Sequence, residues 1–177
     1  MMKSLALFLI SLLSILTPLR AEPAVEKAAW PPMEYVHVVA YCYDPTQDER
    51  GTRIVFEDGT HHRGIIAPFT RNLLPPQVAR LSTLLHPEKE IPDEEVKCFD
   101  PHHGIVFYDE NWKPVASLDI CLTCVDFKSR PQHPAKELDW QAFAELFRRL
   151  GMPVFDEKAG PQAYTRLFEQ HQAKAAE

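Results

Sequence analysis

The chain has 177 residues, with 19 Lys and Arg against 25 Asp and Glu, and therefore a formal net charge of −6 at pH 7. An acidic balance of this kind argues against nucleic acid and anionic membranes as partners. Sixteen prolines against six glycines indicate rigid connections rather than flexible linkers.

Residues 1–21 have the pattern of a secretory signal peptide. Lys3 forms a short basic region, residues 5–16 an apolar run, and Ala21 a small-residue end. The apolar run is shorter than the roughly 20 residues of a membrane span, although an uncleaved anchor is the alternative. We expect a periplasmic or secreted protein, with no stable membrane insertion after cleavage. The remaining residues 22–177 are predicted to form a single α+β domain with a formal charge of −8.

The first part of that domain is predicted to be β structure. Residues 34–43 carry apolar side chains on both faces, which is typical of a strand covered on both sides. Residues 52–56 and 60–66 flank Asp58-Gly59, a strong signal for a hairpin with a type I′ turn. His61-His62 follows this turn and is interpreted as a solvated strand end.

A second hairpin is predicted between residues 102 and 121, where two apolar runs flank a polar connector. If Asn111 and Trp112 centre the turn, the numbers of opposite residues sum to 223, and His102 faces Cys121. A three-residue connector would shift this register by one and exchange the two faces.

One face of this hairpin is the more apolar and is predicted to be the core side. It carries Ala116, Leu118 and Ile120 together with His103, Ile105 and Phe107. His103 is therefore expected to be buried or at the rim, with a hydrogen bond to the backbone. His102 is expected to point with Cys121 toward the more polar face.

Three helices complete the prediction, at residues 75–86, at residues 140–150 after a capping Asp139, and from Pro161 onward. Trp140, Phe143, Phe147 and Leu150 form an apolar stripe that should pack on the sheet. The fold class is therefore α+β: an antiparallel sheet of about five strands, made of two hairpins and one strand, with three helices packed mainly on one face.

The chemistry of the chain is concentrated at the outer ends of the second hairpin. The candidate metal ligands there are Cys98, His102, His103, Cys121 and Cys124. Three cysteines with one histidine form a complete tetrahedral zinc set, and the same ligands suit copper. Disulfides are the main alternative, since export favours them and four cysteines allow three pairings. Cys42 is interpreted as a buried, inert thiol.

Other chemistries are less well supported by the pattern. A thioredoxin-like Cys-X-X-Cys pair requires a helix N-terminus, whereas Cys121 follows a strand. Covalent c-type haem requires histidine at position 125, which is valine. A nucleophilic pair of Cys121 and His102 is conceivable, but no oxyanion loop or nucleophile elbow accompanies it.

The run from Cys98 to Asp109, together with residues 114–116 and 120–124, resembles a pattern that recurs in small exported bacterial proteins of unknown function. Residues 146–154 resemble the helix ending of those proteins, so that the likeness covers about residues 96–154. The resemblance implies no catalytic role and favours treating the cysteines and histidines as one group. We expect a metal-binding protein of the cell envelope that carries zinc or copper. A disulfide-stapled interaction module and a thiol–disulfide redox protein are the alternatives.

Overall fold

The computed structural model describes residues 30–86, 98–135, 137–160 and 162–175. The predicted signal peptide lies outside these residues. Within them, a five-stranded antiparallel sheet packs with three helices, which confirms the predicted α+β class.

The sheet has the strand order β2-β1-β3-β4-β5, with β3 in the centre and every neighbouring pair antiparallel. The strands are β1 (His37–Cys42), β2 (Arg71–Asn72), β3 (His103–Tyr108), β4 (Pro114–Cys121) and β5 (Asp126–Arg130). The helices are α1 (Pro75–Leu85), α2 (Trp140–Arg149) and α3 (Ala163–Ala175).

The main core lies between one face of the sheet and the helices. The sheet contributes the face that was predicted to be the core side, including Ile105, Phe107 and Leu118. The helices contribute Leu81, Leu84, Leu85, Phe143, Leu146, Phe147 and Tyr164. All these side chains leave water together, and this shared burial is the main force that holds the helices on the sheet.

Helix α2 begins and packs as its sequence predicts. The Asp139 side chain accepts a hydrogen bond from the Ala142 N–H at 2.9 Å and so caps the first turn. Phe143 and Phe147 are fully buried. Trp140 is only partly buried, unlike the rest of the predicted stripe, and its indole N–H donates to the buried Glu137 carboxylate at 3.0 Å.

The register of the hairpin β3–β4 confirms the sum of 223 from His103–Ile120 to Phe107–Ala116. The loop itself differs from the prediction. Three residues connect Asp109 to Lys113, since the Asp109 N–H donates to the Lys113 carbonyl. Tyr108 consequently faces Pro114 rather than Val115, and a bulge next to this pair restores the predicted register.

The predicted hairpin of residues 52–66 is wrong as a pair of sheet strands. The turn exists, with Gly59 at φ +80°, but it joins only an isolated bridge between Val55 and His61. The segment lies across the second face of the sheet instead of extending it. Ile54 sits so close to Gly104 of β3 that a Cβ there would lie 2.8 Å from its side chain. Glycine is therefore needed at position 104 for this close approach.

Asp119 of β4 fixes this segment to the sheet. Its carboxylate accepts the Ile54 N–H at 2.6 Å and pairs with Arg53 at 3.3 Å. Burial raises the pKa of Asp119 to about 6, although Ile54, Arg53 and Tyr43 oppose the shift by hydrogen bonds and charge. The sequence predicts that the hairpin of residues 52–66 supplies two strands of the sheet. The edge strands β2 and β5 occupy those two positions instead.

We expect Phe147→Ala to lower the free energy of unfolding by about 3–5 kcal/mol, because a fully buried aromatic ring is removed. Chemical denaturation measures the change. Leu74→Ala is the control, since Leu74 is 63% exposed and its loss should cost under about 0.5 kcal/mol. Equal losses in the two variants would contradict the position of α2 in the core.

Candidate functional site

A disulfide closes the outer end of the hairpin β3–β4. It joins Cys98 to Cys124, with an S–S distance of 1.99 Å and a Cα–Cα distance of 5.8 Å. The bond ties the segment that precedes β3 to the turn that follows β4. The structure therefore contains one of the disulfides that the sequence analysis considered as the alternative to a metal site.

The other two cysteines, Cys42 and Cys121, are free and buried. Cys42 ends β1 and Cys121 ends β4, and both strands flank β3. Since neighbouring strands are about 4.8 Å apart, the two cysteines are separated by about 10 Å, beyond the ~7 Å limit for a disulfide. Burial raises the pKa of Cys42 to about 12, as expected for the inert thiol that was predicted there.

The sulfur of Cys121 lies against the residue that carries one end of the disulfide. The Cys124 N–H donates to the Cys121 sulfur at 3.2 Å. Burial raises the pKa of the Cys121 thiol, while the backbone N–H groups of Asp100, Cys124 and Thr123 oppose this shift. Cys121 is therefore a buried thiol surrounded by backbone donors, next to a disulfide.

His103 is a core residue, as its position on the apolar face predicts. Its ring stacks on Phe147 with centroids 4.3 Å apart, and Nε2 donates to the Pro153 carbonyl at 2.8 Å. Nδ1 is buried and has no hydrogen-bond partner in the structure. Burial lowers the pKa of His103 to about 3. The ring is consequently neutral in the folded protein.

The prediction that His102 points away from the core is wrong. Strand pairing with β4 ends at His103, so strict alternation of faces does not extend to residue 102. The His102 ring stacks on Tyr164 of α3 at 3.9 Å, and its Nε2 lies 3.7 Å from the Asp100 carboxylate. The Cys121 sulfur takes its hydrogen bond from the Cys124 backbone instead. The geometry therefore gives no support to a nucleophilic pair of Cys121 and His102.

Two of the five predicted metal ligands are tied up in the disulfide in this arrangement. The sulfurs of Cys98 and Cys124 are bonded to each other and are not thiolates, which are the form that binds metal. The Nε2 atom of His103 is occupied by Pro153. Among the described residues, no group of three or more His, Cys, Asp or Glu side chains is placed to hold a metal ion.

A second cluster lies at the opposite end of the hairpin, around its loop. Trp112 is 52% exposed, and its ring stacks on His37 with centroids 4.0 Å apart and planes 8° apart. The Tyr108 hydroxyl lies 2.6 Å from the Tyr41 hydroxyl and 2.5 Å from His61 Nε2. We call these five residues the Trp112 surface; Tyr108 lies beneath it, at 2% exposure. The hydrogen bonds fix the rings of Tyr41, His61 and Tyr108 relative to one another.

Trp112 occupies a backbone conformation that disfavours a bulky side chain. It has φ +59°, as the last residue of a three-residue loop in which glycine is the usual choice. Asp109 stabilises the loop, because its carboxylate accepts the N–H groups of Asn111 and Lys113, both at 2.9 Å. From the sequence, Trp112 is predicted only as a turn residue. The signal that could have marked it is a tryptophan within an otherwise polar turn.

The prediction of a solvated His61-His62 pair is also wrong. His62 is only 2% exposed, and its Nε2 donates to the Gly51 carbonyl while Nδ1 accepts the Gly64 N–H. Burial lowers the pKa of His61 and of His62. His62 therefore holds the loop of residues 51–64 together, whereas His61 belongs to the Trp112 surface.

Comparisons with protein-family models, with curated proteins and with solved structures found no match to this chain. The resemblance to small exported bacterial proteins stays a prediction. No helix in the described parts of the chain is long and apolar enough to cross a membrane.

Acidification is expected to destabilise the fold through its buried neutral histidines. Burial lowers the pKa of His103 to about 3 and of His133 to about 4, so that between these values and 6.5 the unfolded chain binds more protons. Each group then removes about 1.4 kcal/mol of stability per pH unit as the pH falls. Asp119 has the opposite effect. Because its pKa is raised to about 6, the folded chain binds more protons between pH 6 and 3.8, and this group adds stability as the pH falls.

Urea unfolding between pH 7 and pH 4.5 measures this dependence. His103→Gln should reduce the loss of stability on acidification, because one neutral buried imidazole is removed. Asp119→Asn should steepen the loss, because it removes the group of opposite sign. The same slope in both variants and in the wild type would contradict these assignments.

We expect loss of the disulfide to lower the free energy of unfolding by about 2–4 kcal/mol. Without it, the unfolded chain is no longer restrained by a bond between residues 26 positions apart. The double variant Cys98→Ala/Cys124→Ala measures it, with Cys42→Ala as a comparison that removes a buried free thiol and keeps the bond between Cys98 and Cys124. After denaturation without reductant, two thiols per wild-type chain should react. Four reactive thiols, with stoichiometric zinc or copper that is lost in His102→Ala, would support the metal hypothesis instead.

Proposed function

We propose that this chain is an exported, disulfide-stapled module that binds another protein through the Trp112 surface. The observation that carries the proposal is an exposed tryptophan in a backbone conformation that favours glycine. Strain of about 1–3 kcal/mol at such a position persists where the side chain serves a purpose. Glycine or asparagine would fit the loop with less strain, so the backbone of the turn does not by itself select tryptophan.

The composition of the Trp112 surface suits a contact with protein. Trp112 is its exposed aromatic residue, and tryptophan is among the residues that most often dominate the binding energy of protein interfaces. Val36, which is 63% exposed, precedes His37 at the same end of the sheet and adds apolar surface. Stacking on His37 fixes the Trp112 ring before binding, so that little side-chain entropy is lost in the complex.

The disulfide supports the same function from the other end of the hairpin. A covalent bond between Cys98 and Cys124 restrains β3 and β4, and these strands present the loop that carries Trp112. A disulfide of this kind persists in the oxidising compartment that the signal-peptide prediction implies. Zinc or copper binding is a proposal only for the reduced protein, because the oxidised arrangement does not provide the thiolates.

The test places a photoreactive amino acid at position 36 in cells that export the protein. We expect a discrete crosslinked product, whose second component is identified by mass spectrometry and then purified for a binding measurement. Position 74 is the matched control, because Leu74 is equally exposed, at 63%, but lies just beyond the edge strand β2.

Trp112→Asn should abolish the crosslink from position 36 and weaken binding of the purified partner, while the free energy of unfolding stays within about 1 kcal/mol of the wild type. A crosslink that persists in Trp112→Asn, or equal products from positions 36 and 74, would overturn the proposal. A product that contains two copies of this chain would replace a foreign partner with self-association.

A further inference from the structure

Three cysteines at the outer end of the hairpin have unequal access to solvent. Cys98 is exposed, whereas Cys124, its partner in the disulfide, is 5% exposed. Cys121 is a free thiol with no exposure, and its sulfur accepts the Cys124 N–H at 3.2 Å. The free thiol of Cys121 therefore lies next to Cys124, the buried residue of the disulfide, whereas Cys98, the other residue of the disulfide, is exposed.

We propose that this chain carries out thiol–disulfide exchange, in which Cys121 displaces Cys98 from Cys124 and leaves Cys98 as an exposed thiol for reaction with a partner's disulfide. The Cys121 thiol gives up its proton as its sulfur bonds to the Cys124 sulfur. The bond between Cys98 and Cys124 breaks, and its electron pair stays on Cys98, which takes up a proton. One disulfide is exchanged for another, so that no external oxidant or reductant is needed.

The geometry favours attack at Cys124 rather than at Cys98. A turn brings Cys121 and Cys124, three residues apart, to the same end of β4, and residues three apart in a turn have Cα atoms within the range that a disulfide spans. The departing sulfur carries negative charge and belongs to Cys98, an exposed residue, so that water stabilises the charge. Attack at Cys98 would instead leave that charge on buried Cys124, at a high desolvation cost.

Backbone dipoles around Cys121 favour its charged form, whereas burial and the Asp100 carboxylate oppose it. The Cys124 N–H points at the Cys121 sulfur and stabilises the charge that develops there before attack.

The class of substrate follows from the exposed product. A free thiolate at Cys98 attacks one sulfur of a disulfide on another molecule. A mixed disulfide with Cys98 forms, and the second sulfur of the partner leaves as a thiolate. The thiol of Cys42, buried two strands away, takes no part. This activity is independent of the Trp112 surface, which lies at the other end of the hairpin, so that either proposal can fail without the other.

The experiment treats the folded, oxidised protein with 5,5′-dithiobis(2-nitrobenzoate), a small disulfide that releases a coloured thiolate. We expect one equivalent of colour from the native protein. Mass spectrometry of the digested product should then find the label on Cys98 and a new bond between Cys121 and Cys124. Without exchange, the native protein offers no exposed thiol, because both free cysteines are buried.

Cys121→Ser should abolish the native-state reaction, whereas Cys42→Ser, the matched change at the other buried thiol, should leave its rate unchanged. Circular dichroism checks that both variants fold, and the position of the label in the wild type decides the question if Cys121→Ser does not. Three results would overturn the proposal: label on Cys42 or Cys121 with the original disulfide intact, label on Cys124, or reaction only at the rate of global unfolding.

Discussion

The pairing of β3 with β4 is the constraint on which the rest of this structure depends. β3 is the central strand, and its register with β4 decides which side chains face the helices and which face the loop of residues 51–64. A shift of one residue would turn Ile105 and Phe107 away from the core. The bulge beside Tyr108 absorbs the extra residue of the loop and so keeps the apolar face on the helix side.

The two ends of this hairpin have different chemistry, and both proposals follow from that difference. At the outer end, a disulfide and a buried thiol lie together, where the exposed sulfur of Cys98 is the point of contact with solvent. At the loop end, Trp112 is held in a fixed orientation by its stack on His37. The hairpin therefore carries a disulfide and a buried thiol at one end and the Trp112 surface at the other.

Buried polar groups fix the position of the segment that packs on the second face of the sheet. Asp119 binds the Ile54 backbone and Arg53 and so fixes where the loop crosses the strands. A charged carboxylate in this position is costly unless it is paired, which is why its pKa is raised despite three favourable neighbours. The sheet is consequently covered on both faces, as the apolar pattern of β1 indicates.

The sequence by itself determined the features that depend on local periodicity: the α+β class, the cap and apolar stripe of α2, the core face of the hairpin, and the burial of Cys42 and His103. Alternation and helical spacing are properties of neighbouring residues, and they survive folding unchanged. Only the tertiary structure decided that residues 52–66 cover the sheet rather than extend it, that Cys98 pairs with Cys124, and that His102 stacks on Tyr164. Those outcomes depend on contacts between distant segments, whose relative positions no local pattern encodes.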